Sequence, residues 1–359
     1  MAISIQDGIP IVALIVLAAA AALPGSAPAT ALSALALLAA VISAVHHAEV
    51  VAHRVGEPFG TLVLALAITV IESALIVSLM LSGGSATAAL ARDTLFATVM
   101  IICNGVVGIC VLMGGLRHSE QSFQTASTGP ALAALVVLST IVLVLPVFTT
   151  SSAGGTYTDS QLAFVGAAAS VLWAVYVFVQ TVRHRDYFLP AQRADDESVH
   201  AQAPSNRRAW GSAGLLMAAL VGVVGLAKLL SPSIERLLTA ASAPPAVLGI
   251  AVALIVLMPE TWAAVRAARA DRLQTSMNLA LGSALASIGL TVPVVVVASV
   301  WLNLPLVLGL APKEIAMLAM TFVVSAITLG TGRTYVMQGA VHLVVFAAFV
   351  FLALVPRKR

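Results

Sequence analysis

Gly60–Ser82 reads GTLVLALAITVIESALIVSLMLS, an apolar run long enough to cross a bilayer that carries one carboxylate, Glu72, near its middle. A carboxylate at that depth costs roughly 2.5–3.5 kcal/mol on insertion scales, so such a group faces a partner, an ion path or a water-filled cavity. A second one lies in Ala246–Arg266, AVLGIAVALIVLMPETWAAVR, where Glu260 follows Pro259 inside another apolar run. The expectation is that the two side chains meet.

The rest of the composition agrees with a membrane chain. Of 359 residues, 60% are hydrophobic and 9% charged, with a mean hydropathy of +1.05, against about a quarter charged in soluble domains. Backbone polar groups in lipid are satisfied only within helices or closed barrels, and unbroken Ala/Val/Leu-rich runs without strict alternation exclude the barrel. The chain is therefore expected to be an all-α polytopic membrane protein. Its net charge of +3 would suggest nucleic acid in a soluble domain, but here the sparse basic residues sit between spans and report orientation instead. Cys103 and Cys110 fall on one helix face about 10 Å apart, too far for a disulfide. No removable signal peptide is evident at the N-terminus.

Eleven apolar runs are bounded by Gly, Pro and charge: 9–23, 29–51, 60–82, 94–116, 130–149, 161–182, 211–230, 245–265, 277–302, 313–329 and 336–355. The first is short and is kept as a span, with a re-entrant or tilted segment as the alternative. One long polar connection, residues 183–209, divides the chain. Connections after even-numbered spans hold eleven of the 18 Lys and Arg residues, and the other side holds seven. This bias places the 183–209 loop and the N-terminus in the cytoplasm, although the basic tail Arg357–Arg359 pulls the other way. Residues 1–27 then form an extra first helix, and 28–182 and 210–359 two five-span repeats. In each repeat the second span bears the buried glutamate. An odd number of spans per repeat inverts one copy against the other, the plan of secondary transporters with a midplane site.

Two carboxylates in a low-dielectric site repel, so protons and a cation become exclusive ligands between them. Hard cations such as Ca²⁺ take six to eight oxygens, of which two glutamates supply up to four. Thr69, Asn104, Ser283, Ser287 and the Val256 carbonyl freed by Pro259 are candidate supplements. Gly, Ser and Asn also serve close helix packing, so for Asn104, Ser283 and Ser287 both readings stay open. An all-oxygen set disfavours zinc or copper. His46, His47, Glu49 and His53 lie at a span's end and read as interfacially solvated, with Glu49 retained as an acidic gating candidate. The acidic run Asp195–Glu197 reads as a solvated patch.

These residues resemble the calcium/cation antiporter superfamily, in its cation/proton exchanger branch, and within that the bacterial ChaA-type proteins. Glu49, Gly56, Gly60 and Glu72 stand in the order and spacing of that family's first-half signature. Glu260 precedes Gly282-Ser283 by the family's interval. Closer likeness to the ChaA type runs through GEPFGTLVLAL, MNLALGSALASIGLTVPVV, GTGRT and GAVHLVVFAAF. The usual Gly-Asn before each glutamate is replaced by Ile68-Thr69 and Leu257-Met258, and a glutamine by Ala286. The resemblance implies a sodium/calcium exchanger-like fold of eleven helices in a bacterial inner membrane. It also implies Ca²⁺/H⁺ exchange without a cofactor, with Na⁺/H⁺ or K⁺/H⁺ exchange as the alternative. The partners are then inorganic cations, protons and lipid rather than nucleic acid. A membrane-embedded acidic hydrolase or a channel are the readings outside this class.

Overall fold

The computed structural model describes residues 5–22, 26–56, 59–183, 204–240 and 243–355. The acidic run 195–197 and most of the long connection lie outside them. Eleven helices among the described residues are long and apolar enough to cross a membrane. In chain order they are α1 (Ile5–Ala22), α2 (Ala27–Val55), α3 (Phe59–Gly83), α4 (Leu90–His118), α5 (Thr125–Phe148), α6 (Asp159–Arg183), α7 (Asn206–Ala240), α8 (Ala246–Arg269), α9 (Leu273–Leu302), α10 (Pro312–Gly330) and α11 (Val336–Leu354). The first run is one continuous 18-residue helix, about 27 Å long and sufficient for the hydrocarbon layer. α7 extends well past the apolar run 211–230 at both ends.

The chain gathers into two compact units, one of residues 1–87 with 193–242 and the other of residues 88–192 with 243–359. In the first, α1, α2, α3 and α7 pack mutually. Small residues bring α1 close to α7: a Cβ on Gly222 would lie 3.3 Å from Ala13 Cβ, and one on Gly225 would collide with Leu17. Pro10 has no N–H to offer the Gln6 carbonyl four residues earlier. That carbonyl instead accepts from Ser43 Oγ at 2.9 Å and His47 Nε2 at 3.2 Å on α2. His47 is fully buried, which corrects the interfacial reading for this histidine, because the pairing arises between helices. His53 and Glu49 are exposed. At Gly56 the backbone turns from α2 into α3 with φ +77°, open to glycine without strain.

In the second unit α4 runs through the centre, buried along nearly its whole length, between α8, α9, α10 and α11. A Cβ on Gly249 of α8 would lie 2.8 Å from the Asp93 and Thr94 backbone, and one on Gly339 of α11 would lie 2.9 Å from the Gly108 carbonyl. Midway, α4 widens into a π-helical stretch, Ile101–Val106. A second such stretch, Thr140–Val144, precedes Pro146 in α5. A two-residue antiparallel ladder, β1 (Gln121–Ser122) with β2 (Arg333–Thr334), joins the α4–α5 and α10–α11 turns. Gln121 Nε2 also donates to the Ala268 carbonyl and to Asp271 Oδ1. In α8 the carbonyl that Pro259 deprives of its donor is that of Ile255, four residues back, and not Val256 as read from the sequence.

Candidate cation site

Glu72 lies at the middle of α3, roughly 17–20 Å from either helix end, and its side chain is 3% exposed. Thr69, one turn before it on the same face, is also buried, and its Oγ1 donates to the Ala65 carbonyl at 2.9 Å. That bond occupies the hydroxyl proton and leaves an oxygen lone pair for a cation.

In the other unit, Glu260 sits about 14 Å from the C-terminal end of α8 and is 9% exposed. The next residue, Thr261, turns its hydroxyl into the helix, donating to the Leu257 carbonyl at 2.7 Å. On α9, Ser287 is buried and Ser283 half-buried. Asn104, in the π-helical stretch, is fully buried; its Nδ2 donates to Thr321 Oγ1 at 2.9 Å. Its Oδ1 has no hydrogen-bond partner among the described residues. A buried acceptor left unmet costs about 1–3 kcal/mol, so this oxygen is a vantage for water or a cation. The π-helical stretch packs on both α8 and α9. The helices carrying Glu260, Ser283 and Ser287 therefore converge on the segment that carries Asn104, while Glu72 and Thr69 are placed within the first unit.

Sequence reasoning passed over Thr321, Ser325, Thr328 and His342, all of them buried. It also missed the buried Asp93, which pairs with Arg92 at 2.7 Å while Arg92 donates to the Gly309 carbonyl. A histidine inside an apolar span was the signal available for the first group.

Residues 25–182 and 211–355 match the family described as sodium/calcium exchanger protein. The chain belongs to that family. It is 49% identical over 320 residues to the Sinorhizobium fredii protein y4hA, covering 89% of this chain and 87% of that one. To the sodium-potassium/proton antiporter ChaA of Escherichia coli it is 34% identical over 345 residues, covering 95% and 93%. The crystal structure of the H⁺/Ca²⁺ exchanger CAX superposes with a TM-score of 0.73 at 14% identity, over 96% of this chain and 86% of that one. As a family member the chain is a multi-pass membrane cation antiporter and not an enzyme, which sets aside the hydrolase reading.

Proposed function

We propose that this sodium/calcium exchanger family member expels Ca²⁺ from the bacterial cytoplasm in exchange for protons moving inward, with Glu72 and Glu260 converging at mid-depth as the alternating ligand pair. The observation that carries this reading is the placement of one buried glutamate halfway along the second span of each half. Two carboxylates are neutralised by one Ca²⁺ or by protons, so either loaded state crosses the low-dielectric layer without net charge, whereas the empty pair does not. Thr69, Asn104, Ser283 and Ser287 would add oxygens to the four that two glutamates can offer. In this reading 28–182 and 210–359 are inverted repeats following an added first helix, 1–27. The 183–209 connection is cytoplasmic in the inner membrane, and Glu49 guards that approach.

A second reading, exchange of Na⁺ or K⁺ for protons, is favoured by the likeness to ChaA. Apolar Ile68 and Leu257, about one turn before the carboxylates on their own helices, also favour it, since they leave fewer oxygens than Ca²⁺ commonly takes. Purified protein in acid-loaded liposomes, challenged with each cation while internal pH is followed, decides between them. Glu72→Gln and Glu260→Gln should each abolish the response to every cation while still inserting. Retained exchange by either variant would refute the carboxylate pair.

A further inference from the structure

Thr321, Ser325 and Thr328 recur at positions i, i+4 and i+7 of α10, which sets three hydroxyls on one helix face. All three are at most 2% exposed. This face meets the π-helical stretch of α4 and the buried His342 of α11. Asn104 Nδ2 bonds Thr321 Oγ1 at 2.9 Å, Ser325 Oγ is buried with no hydrogen-bond partner among the described residues, and His342 Nε2 lies 3.0 Å from Thr328 Oγ1. Glycines let α11 approach α4: a Cβ on Gly108 would lie 3.0 Å from His342 Cβ, and one on Gly105 would lie 3.4 Å from the Phe346 ring. Polar side chains thus follow one another from the middle of α4 towards the α10–α11 turn. His342 lies about 9 Å from the start of α11, and Asn104 about 20 Å from the end of α4 at that side. The turn carries Arg333, on the side that the positive charge bias assigns to the cytoplasm.

A histidine buried in a span is costly and points to a proton or ion route, and the unmet Asn104 Oδ1 at the other end of the polar layer calls for a further occupant. We propose that Thr321, Ser325, Thr328 and His342 form a hydrated polar file that starts at Asn104 of the carboxylate site and conducts protons between that site and the cytoplasm, separately from the cation's route beyond Asn104. His342 is its outermost protonatable group. A proton taken up on one ring nitrogen is matched by one released from the other, and each hydroxyl accepts one proton as it gives up another, so every member returns to its neutral state. Among the described residues, the other buried titratable groups on the helices packed against it are Asp93, Cys103 and Cys110 of α4 and Glu260 of α8. Arg117, His118, Arg266 and Arg269 sit at the cytoplasmic helix ends, and Lys313 and Glu314 at the opposite end of α10.

The inference rests on the antiport reading, and the test separates the two. Full-length protein in liposomes is assayed with whichever of Ca²⁺, Na⁺ or K⁺ the wild type carries. Two modes are followed: cation/proton exchange driven by a pH gradient, and cation/cation exchange of a radioactive tracer without one. His342→Gln should slow the proton-coupled mode by about tenfold or more and shift its pH profile, yet leave cation/cation exchange unchanged. Thr328→Val, which keeps the side-chain shape, should give the same split. An unaltered proton-coupled rate and pH profile in both variants, or an equal fall of both modes, would overturn the file and leave the antiport reading standing. A wild type that exchanges no cation for protons sinks the antiport reading, and the file with it.

Discussion

Glu72 and Glu260 are the same residue in two settings, each set deep in its helix where a charge has to be matched. If protons and cations compete for the same oxygens, as proposed, acidifying the side from which the cation loads should raise the apparent KM. The rise should approach tenfold per pH unit for each proton displaced, once the pH falls below the carboxylates' titration range. Initial rates at fixed opposing pH measure it, and a KM independent of pH would separate proton from cation binding. Asn104 makes a narrower claim. Asn104→Leu removes its bond to Thr321 and its unmet oxygen together, and Thr321 keeps its contact to Met100 Sδ at 3.3 Å. Thermal stability should therefore hold while cation affinity falls about tenfold, the scale of one net polar contact; unchanged affinity would leave Asn104 a packing residue. The glutamates were legible because charge is rare in apolar runs. The buried place of His47 was not, since it depends on Pro10 of another helix withholding its donor. Nor was the hydroxyl stripe of α10, because Ser and Thr can bond their own helix and so carry little signal by themselves.

The second unit's helices approach one another where glycine lets them. Helix α8 comes close to α4 at Gly249, where an added Cβ would lie 2.8 Å from backbone atoms of Asp93 and Thr94. Backbone cannot yield as a flexible side chain can, so Gly249→Ala should cost about 1–3 kcal/mol of stability and Gly249→Leu more. Because α8 also carries Glu260, three turns onward, exchange should fall with it. Detergent melting curves alongside transport rates test this, and a Gly249→Leu protein of normal stability and rate would refute the contact. The span limits were readable from hydropathy to within a few residues over most of the chain. The π-helical widening at Ile101–Val106 was not: its residues are mostly as apolar as their neighbours, and the stretch is seen only where α8, α9 and α11 pack on it.

Eleven spans among the described residues, an odd number, would put the two chain ends on opposite sides of the membrane. Hydropathy alone supplied that count. It did not show that α1, α2, α3 and α7 gather into one unit and the remaining helices into another, because that grouping follows from close approaches such as Gly222 to Ala13. The proposal that the 183–209 loop is cytoplasmic rests on the charge distribution, eleven basic residues against seven, and the two central connections supply most of that bias. The tail Arg357-Lys358-Arg359 is the opposing signal. It is outweighed if orientation is set by the sum over short connections and not by the last few residues. Cys103 and Cys110 are 1% and 0% exposed, so they contribute little background to thiol labelling. A membrane-impermeant maleimide applied to intact spheroplasts should therefore label Arg359→Cys and spare Ser205→Cys, which becomes reactive only after the membrane is opened. The reverse pattern would turn the whole molecule over in the membrane. The buried histidine of α11 would then open towards the periplasm, and the direction of the proton route through it would have to be reversed.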